Sequence, residues 1–128
     1  MKQKNVQQQN QATEDMIRLS VSYWRLNPLP AALVSCATSR NVDCKNAIIL
    51  DLGIDEPGSP ELVGTLLTSE GRFIQFEIET DRDHVLIHSV LRWRDITGQQ
   101  NMSTRNPGIG AGYGALALKI LHEIQADS

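Results

Sequence analysis

The sequence predicts an α+β domain in which an antiparallel β-meander of three to four strands is packed by a C-terminal amphipathic helix and by N-terminal helices. Three observations predict this fold class. Segments 62–68 and 73–79 flank a turn that contains Gly71, which is typical of a β-hairpin. A further strand pattern follows at 85–93. The apolar residues of the last segment then recur at helical spacing.

The bulk composition predicts the domain organisation. A chain of 128 residues, with 41% hydrophobic and 21% charged residues, has the size and character of one globular domain. Residues 1–11 are polar and rich in glutamine and asparagine, so we expect a disordered tail there and a single α+β domain over residues 12–128. The net charge is −3 and the basic residues are scattered, which disfavours nucleic acid as a partner.

Apolar segments and cysteines indicate the compartment. The sequence shows no secretory signal and no apolar run of the length that a bilayer requires, which predicts a cytoplasmic protein without membrane contact. In a reducing compartment, Cys36 and Cys44 are expected to be free, partly buried thiols rather than a disulfide.

Two helices are expected before the first strand. Thr13, followed by two acids, is a helix start signal, and the proline-rich segment 27–30 is a stop signal, which together favour a helix over residues 14–26. Apolar and polar residues alternate over residues 17–23, so a strand remains the alternative there. A second helix is expected from Pro30 to about Ser39. Its inward side chains are predicted to be Leu33, Val34 and Ala37.

The strand patterns also predict which side chains share a face. An apolar run at 47–52 is expected to form the first strand. Pairing of residue 69 with residue 72 places Leu67 opposite Ile74 and leaves one face of the hairpin apolar. The third meander strand, at 85–93, has apolar residues on both sides, so we expect it to lie between two covering layers.

The C-terminal part predicts a loop and a helix. The segment 97–106 is long and polar, and loops of this kind in compact domains often carry function. Residues 111–125 are expected to form an amphipathic helix. Its apolar stripe consists of Tyr113, Leu116, Ala117, Ile120, Leu121 and Ile124.

A glycine-rich turn precedes this helix and contains Arg105, Gly108, Gly110 and Gly112. Free N–H groups at such a turn can cradle an anion. The pattern Arg105-x-x-Gly108-x-Gly110 resembles the pyrophosphate-binding turn of the acyl-CoA-dependent N-acetyltransferase superfamily, in which a β-meander also precedes the helix. The resemblance implies a CoA- or nucleotide-binding site at these residues. The alternative is that small residues let the helix start pack tightly on the sheet.

No complete catalytic constellation is present in the sequence. His84 and His88 could share a metal ion on a helix, but four residues along a strand span about 13 Å, so no metal site is expected. Ser89 and His88 cannot form a nucleophile–base pair, because neighbours on a strand point to opposite faces. The sequence therefore favours a non-catalytic protein and leaves enzymatic activity open.

The leading hypothesis is a small protein-binding domain of the inhibitor or immunity type, without a cofactor. Its partner would be another protein or a second copy of this chain, bound through a sheet face, an acidic ridge or the 97–106 loop. The candidate contact residues are Gln75, Glu77, Glu79, Asp81, Asp83 and His88. In the predicted register, His88 neighbours Gln75. The alternative hypothesis is an acyltransferase-like protein that binds CoA or a nucleotide at the 105–110 turn.

Overall fold

The computed structural model describes residues 2–53, 60–99, 104, 109 and 112–127, with side chains from residue 8 onward. These ranges contain three helices, four strands and a short 3-10 turn at Cys44–Asn46. The helices are α1 (Lys2–Leu26), α2 (Ala31–Ser39) and α3 (Gly114–Ala126). The strands are β1 (Ile48–Gly53), β2 (Glu61–Leu67), β3 (Phe73–Thr80) and β4 (Ile87–Asp95).

The strands form one antiparallel sheet in the order β1-β2-β3-β4, so each strand pairs with its neighbours in sequence. This arrangement is a meander, and β1 and β4 are its edges. The predicted α+β class is confirmed. Within the described residues, no helix combines the length and the apolar character that crossing a bilayer requires.

Apolar clusters lie on both faces of the sheet. On one face, here called the α3 face, strand residues such as Ile48, Leu67 and Phe73 pack against side chains of α1 and α3. On the other, the α2 face, strand residues such as Leu66 and Phe76 pack against α2. The buried residues of α2 are Ala32, Leu33, Cys36 and Ala37. Helices therefore pack on both faces of the sheet as a whole. The expectation of two covering layers for β4 itself is wrong, because Val90 and Trp93 pack on the α2 face whereas Arg92 and Arg94 are exposed on the α3 face.

The register of the β2–β3 hairpin differs by one residue from the predicted one. Leu67 lies opposite Phe73, whereas the sequence places it opposite Ile74. The N–H of Gly71 donates to the carbonyl of Thr68 at 2.9 Å, and Gly71 has a φ of 85°. These features close a three-residue loop instead of the assumed two-residue loop. A one-residue shift turns every β3 side chain to the opposite face, so the predicted single apolar face is divided between the two.

Strand β4 differs from the prediction because two irregularities interrupt its pairing with β3. His88 and Leu91 are the residues skipped in the register, as in β-bulges. Each bulge changes the alternation of side chains along the strand. Val90 and Trp93 therefore both pack on the α2 face, although strict alternation places them on opposite faces.

Helix α1 begins at Lys2 rather than near Thr13. The prediction of a disordered tail over residues 1–11 differs from the structure, in which residues 2–11 form the first turns of α1. Glutamine is a good helix former, and this part lacks apolar periodicity because it has no core to face: every side chain at 8–12 is exposed. Ile17 is fully buried, and the helical interpretation of residues 14–26 is confirmed.

The second and third helices follow their predicted patterns closely. Helix α2 begins directly after Pro30 and ends at Ser39. Val34, predicted to point inward, is 39% exposed, whereas the predicted Leu33 and Ala37 are buried. The predicted apolar stripe of α3 is confirmed, because its six residues are buried or pack against the α3-face cluster.

Candidate functional site

A row of polar side chains crosses all four strands on the α3 face. Asp51, Thr65, Gln75 and Arg94 are successive cross-strand neighbours, and we call them the polar row. Asp51 is 9% exposed and Thr65 is 2% exposed, whereas Gln75 is half-buried and Arg94 is exposed. The row thus lies between the apolar cluster and the outer part of the sheet, and it is buried on β1 and β2, half-buried on β3 and exposed on β4.

Tyr113 lies at the buried end of the polar row. Its ring is 1% exposed and packs edge-on against Phe73, with centroids 5.7 Å apart. Burial, and secondarily the negative charge of Asp51, raise the pKa of Tyr113 to about 12. Among the described residues, the Tyr113 hydroxyl has no hydrogen-bond partner. The hydroxyl is therefore protonated at neutral pH, and it lies within electrostatic range of the Asp51 carboxylate.

A second row, farther from the apolar cluster, carries opposite charges. Glu77 lies opposite Arg92 on β4, and Glu79 lies opposite Ser89. Glu77 and Glu79 are half-buried and Arg92 is exposed. Opposite charges at directly facing positions attract, so Arg92 offsets part of the acidic character that the sequence predicts for this surface.

Asp81 belongs to the turn rather than to a free acidic ridge. One of its carboxylate oxygens accepts the N–H groups of Leu86, at 3.1 Å, and Val85, at 2.7 Å. These hydrogen bonds, first that of Leu86 and then that of Val85, lower the pKa of Asp81. Asp83 is exposed in the same turn. The predicted ridge is thus divided between two strand residues and a turn in which Asp81 has a structural function.

The predicted neighbour of Gln75 was wrong. The register places Arg94 opposite Gln75, and His88 lies at a bulge farther along β4, where it is exposed. Near this bulge, large apolar side chains face solvent: Val85 is 50%, Leu86 60% and Leu91 50% exposed. The surface of β4 therefore combines basic and apolar groups.

The predicted anion site falls mostly outside the described residues, which do not include Arg105, Gly108 or Gly110. Gly112 is described: it is exposed and has a φ of 80°, immediately before α3. Within the ranges that the structure covers, no three His, Cys, Asp or Glu side chains are grouped to hold a metal ion.

A groove of about 1230 Å³ lies between the three helices. Its walls include apolar side chains such as Trp24, Leu29 and Ile124, together with the charged groups of Lys45 and Glu123. Its volume exceeds the range typical of small-molecule pockets, which is about 300–1,000 Å³.

Sequence reasoning missed several residues of these rows. Asp51 had a recognisable signal, because it is a lone acid within an apolar strand segment. Thr65, Arg92 and Arg94 had none, since their neighbours depend on a register that the sequence does not determine. Tyr113 was assigned to the core, and only the fold brings its hydroxyl near Asp51.

Comparison of the chain with protein-family models, with curated proteins and with solved structures finds no match. Any functional conclusion therefore has to come from the chemistry of the surfaces described above.

Proposed function

We propose that this chain is a small non-catalytic protein-binding domain, of the inhibitor or immunity type, that contacts a protein partner through the polar part of its α3 face. The observation that carries the proposal is a pair of neighbouring rows: the polar row, from Asp51 to Arg94, and the second row, in which Glu77 faces Arg92. Their side chains are spaced by strand separations of about 4.8 Å, which forms a broad patterned surface rather than a pocket.

The charge pattern supports a protein as the ligand. Glutamates on β3 and arginines on β4 lie side by side, so a partner needs complementary charges at defined positions. Such patterning favours one partner over others, because misplaced like charges are costly at an interface. The apolar α2 face is less suited to this role, because α2 already covers it.

The thiols support a cytoplasmic setting for this interaction. Cys36 and Cys44 are both free and buried, the form that a reducing compartment maintains. We therefore place the interaction with the partner in the cytoplasm.

The test is affinity co-purification from the native host with charge-reversal variants. Glu77→Lys and Arg92→Glu each reverse one charge of the second row, and we expect both to reduce recovery of a specific partner. Glu70→Lys is the matched control, because Glu70 is exposed in the hairpin turn at the opposite end of β3. If the wild-type chain recovers no partner, or if all three variants recover it equally, this assignment is wrong.

The alternative proposal, CoA or nucleotide binding at the 105–110 turn, draws support from the positive φ of the exposed Gly112 just before α3. Thermal-shift measurements with CoA compounds and nucleotides separate the two proposals. A ligand at 100 times its dissociation constant adds ~2.7 kcal/mol to the free energy of unfolding. Stabilisation by CoA that is lost in Arg105→Ala would favour the alternative.

A further inference from the structure

Strand β4 presents an open edge. Among the four described strands it is the last of the sheet, and it pairs with β3. In the part of the chain that the structure covers, no backbone group hydrogen-bonds to the outer side of Ile87–Asp95. An edge of this kind exposes a row of N–H and C=O groups that an extended chain can pair with.

The side chains along this edge are apolar or basic. Val85 and Leu86, immediately before β4, and Leu91 within it are each at least half exposed. Arg92 and Arg94 are exposed on the α3 face of the strand. Val90 and Trp93, partly buried on the α2 face, offer apolar contact on the other side.

The acid at the end of the strand does not offset this basic character. Asp95 forms an ion pair with Arg72 at 2.8 Å and also accepts the N–H of Thr97 at 2.9 Å. Arg92 faces Glu77 on β3, whereas Arg94 faces the neutral Gln75, so the edge is most basic at its Arg94 end in a chain whose net charge is −3. A second copy is a poor match, because antiparallel self-pairing centred on Leu91 places Val90 opposite Arg92 and His88 opposite Arg94, so neither arginine meets an acid.

We propose that β4 is the docking edge for an extended segment of the protein partner, in which acidic and apolar residues alternate and which adds to the sheet as a fifth strand. The acids would lie beside Arg92 and Arg94, and the apolar residue between them beside Trp93. Alternation follows from the pleat, since successive side chains of a strand point to opposite faces. This inference rests on the proposed function and specifies the chemistry of the partner.

The test uses the full chain and a short synthetic peptide that alternates glutamate with valine. Binding is followed by amide hydrogen exchange, because a fifth strand protects the outward-facing N–H groups of β4. Two control peptides have the same length: one replaces glutamate by lysine, and one carries N-methyl groups on alternate peptide nitrogens. We expect protection of β4 amides with the first peptide and none with either control.

Charge-reversal variants test the assigned contacts. Arg92→Glu and Arg94→Glu should each weaken binding of the acidic peptide by about tenfold, by loss of attraction and gain of repulsion. Arg82→Glu is the matched control, because Arg82 is exposed in the turn before β4. The affinity of this variant for the acidic peptide should equal that of the wild type. Near-native thermal midpoints establish that the variants are folded.

The inference is overturned if the acidic peptide protects no β4 amide, or if the lysine peptide binds equally well. Protection that grows with protein concentration in the absence of peptide also overturns it, since it indicates pairing with a second copy. These outcomes differ from failure of the proposed function, in which the wild-type chain recovers no partner from its host. A partner that is recovered, but without involvement of β4, leaves the proposed function intact and removes this inference.

Discussion

Tyr113 and Asp51 place polar groups where the sheet passes from its apolar cluster to its outer part. Such groups are costly to bury unless they find partners or stay at the border of the core. The aromatic ring compensates by packing against Phe73, so most of the tyrosine surface is in an apolar setting. The hydroxyl therefore contributes polarity to the site, whereas the ring contributes stability.

Removal of the hydroxyl and removal of the ring should have different effects. Tyr113→Phe retains the packing, and we expect the free energy of unfolding to change by less than about 1 kcal/mol, because the hydroxyl has no partner among the described residues. Tyr113→Ala leaves a cavity and should lower the free energy of unfolding by about 3–5 kcal/mol. Urea unfolding measures both changes. A loss of several kcal/mol in the phenylalanine variant would contradict this assignment.

Asp81 should make stability depend on pH in the acid range. Its pKa is lowered from 3.8 in the folded state by the N–H groups of Leu86 and Val85, so its contribution is present above about pH 4. It is lost as the pH falls through the lowered folded-state pKa. Asp81→Asn cannot ionise. We expect its thermal midpoint to lie below that of the wild type at pH 7, with the difference shrinking below pH 3.8. If the difference in thermal midpoint between Asp81→Asn and the wild type stays constant as the pH falls, the Asp81 carboxylate does not make this contribution to stability.

At the scale of elements, small backbone features decide what each strand presents. The three-residue loop at 69–71 sets the β2–β3 register, and the bulges at His88 and Leu91 decide the faces of β4. A register shift between Ile49 and Asp51 has the same effect on β1, because it turns the side chains of both Leu50 and Asp51 toward the α3 face. Bulges next to sites are common, because they re-aim side chains.

The prediction at this scale concerns the substitution of Gly64 on β2. A Cβ at Gly64 would overlap the carbonyl oxygen of Asp51 on β1 and come within 2.7 Å of the Phe76 ring. Gly64→Ala should therefore lower the free energy of unfolding by about 1–3 kcal/mol, because β1 and β2 cannot separate without losing their hydrogen bonds. Gly53→Ala is the control, since nothing lies within 4 Å of a Cβ there. If Gly64→Ala and the wild type have equal free energies of unfolding in chemical denaturation, β1 and β2 move apart without cost and the prediction is wrong.

At the scale of the whole molecule, helices close both faces of a sheet that is apolar on both sides. Helix α1 is joined to α3 by ion pairs of Arg18 with Glu123, at 2.8 Å, and of Lys119 with Glu14, at 3.0 Å. These pairs are solvated and fix the arrangement of the helices more than they stabilise it. In the part of the chain that the structure describes, no helix covers the polar part of the α3 face or the outer edge of β4.

The buried thiols report on the integrity of this arrangement. Burial raises the pKa of Cys44 to about 11, and burial also raises that of Cys36 despite the nearby Arg40. Both thiols should therefore react slowly with a disulfide reagent at pH 8 in the native chain and rapidly in denaturant. Absorbance of the released thiol measures the two rates. Fast reaction of either thiol in the native chain would mean that α2 opens readily.

Much of the candidate site depends on pairings that local sequence cannot specify. The sequence identified Gln75, Glu77 and Glu79 as polar strand residues, because alternation is a local property. It did not identify Arg92 or Arg94 as their neighbours, since that pairing requires the loop geometry and both bulges. The predicted contact between His88 and Gln75 failed for this reason.

The sequence by itself determined the order of the four strands, the presence of the hairpin, helix α2 and the apolar stripe of α3, whereas it left a strand as the alternative over residues 17–23. Periods of 3.6 and 2 residues and the turn residues are local signals, and they are sufficient for that. Only the tertiary structure decided the register, the faces of β3 and β4, the extent of α1 and the approach of Tyr113 to Asp51. These depend on contacts between distant segments, where one extra residue in a loop or bulge reverses the direction of every side chain that follows.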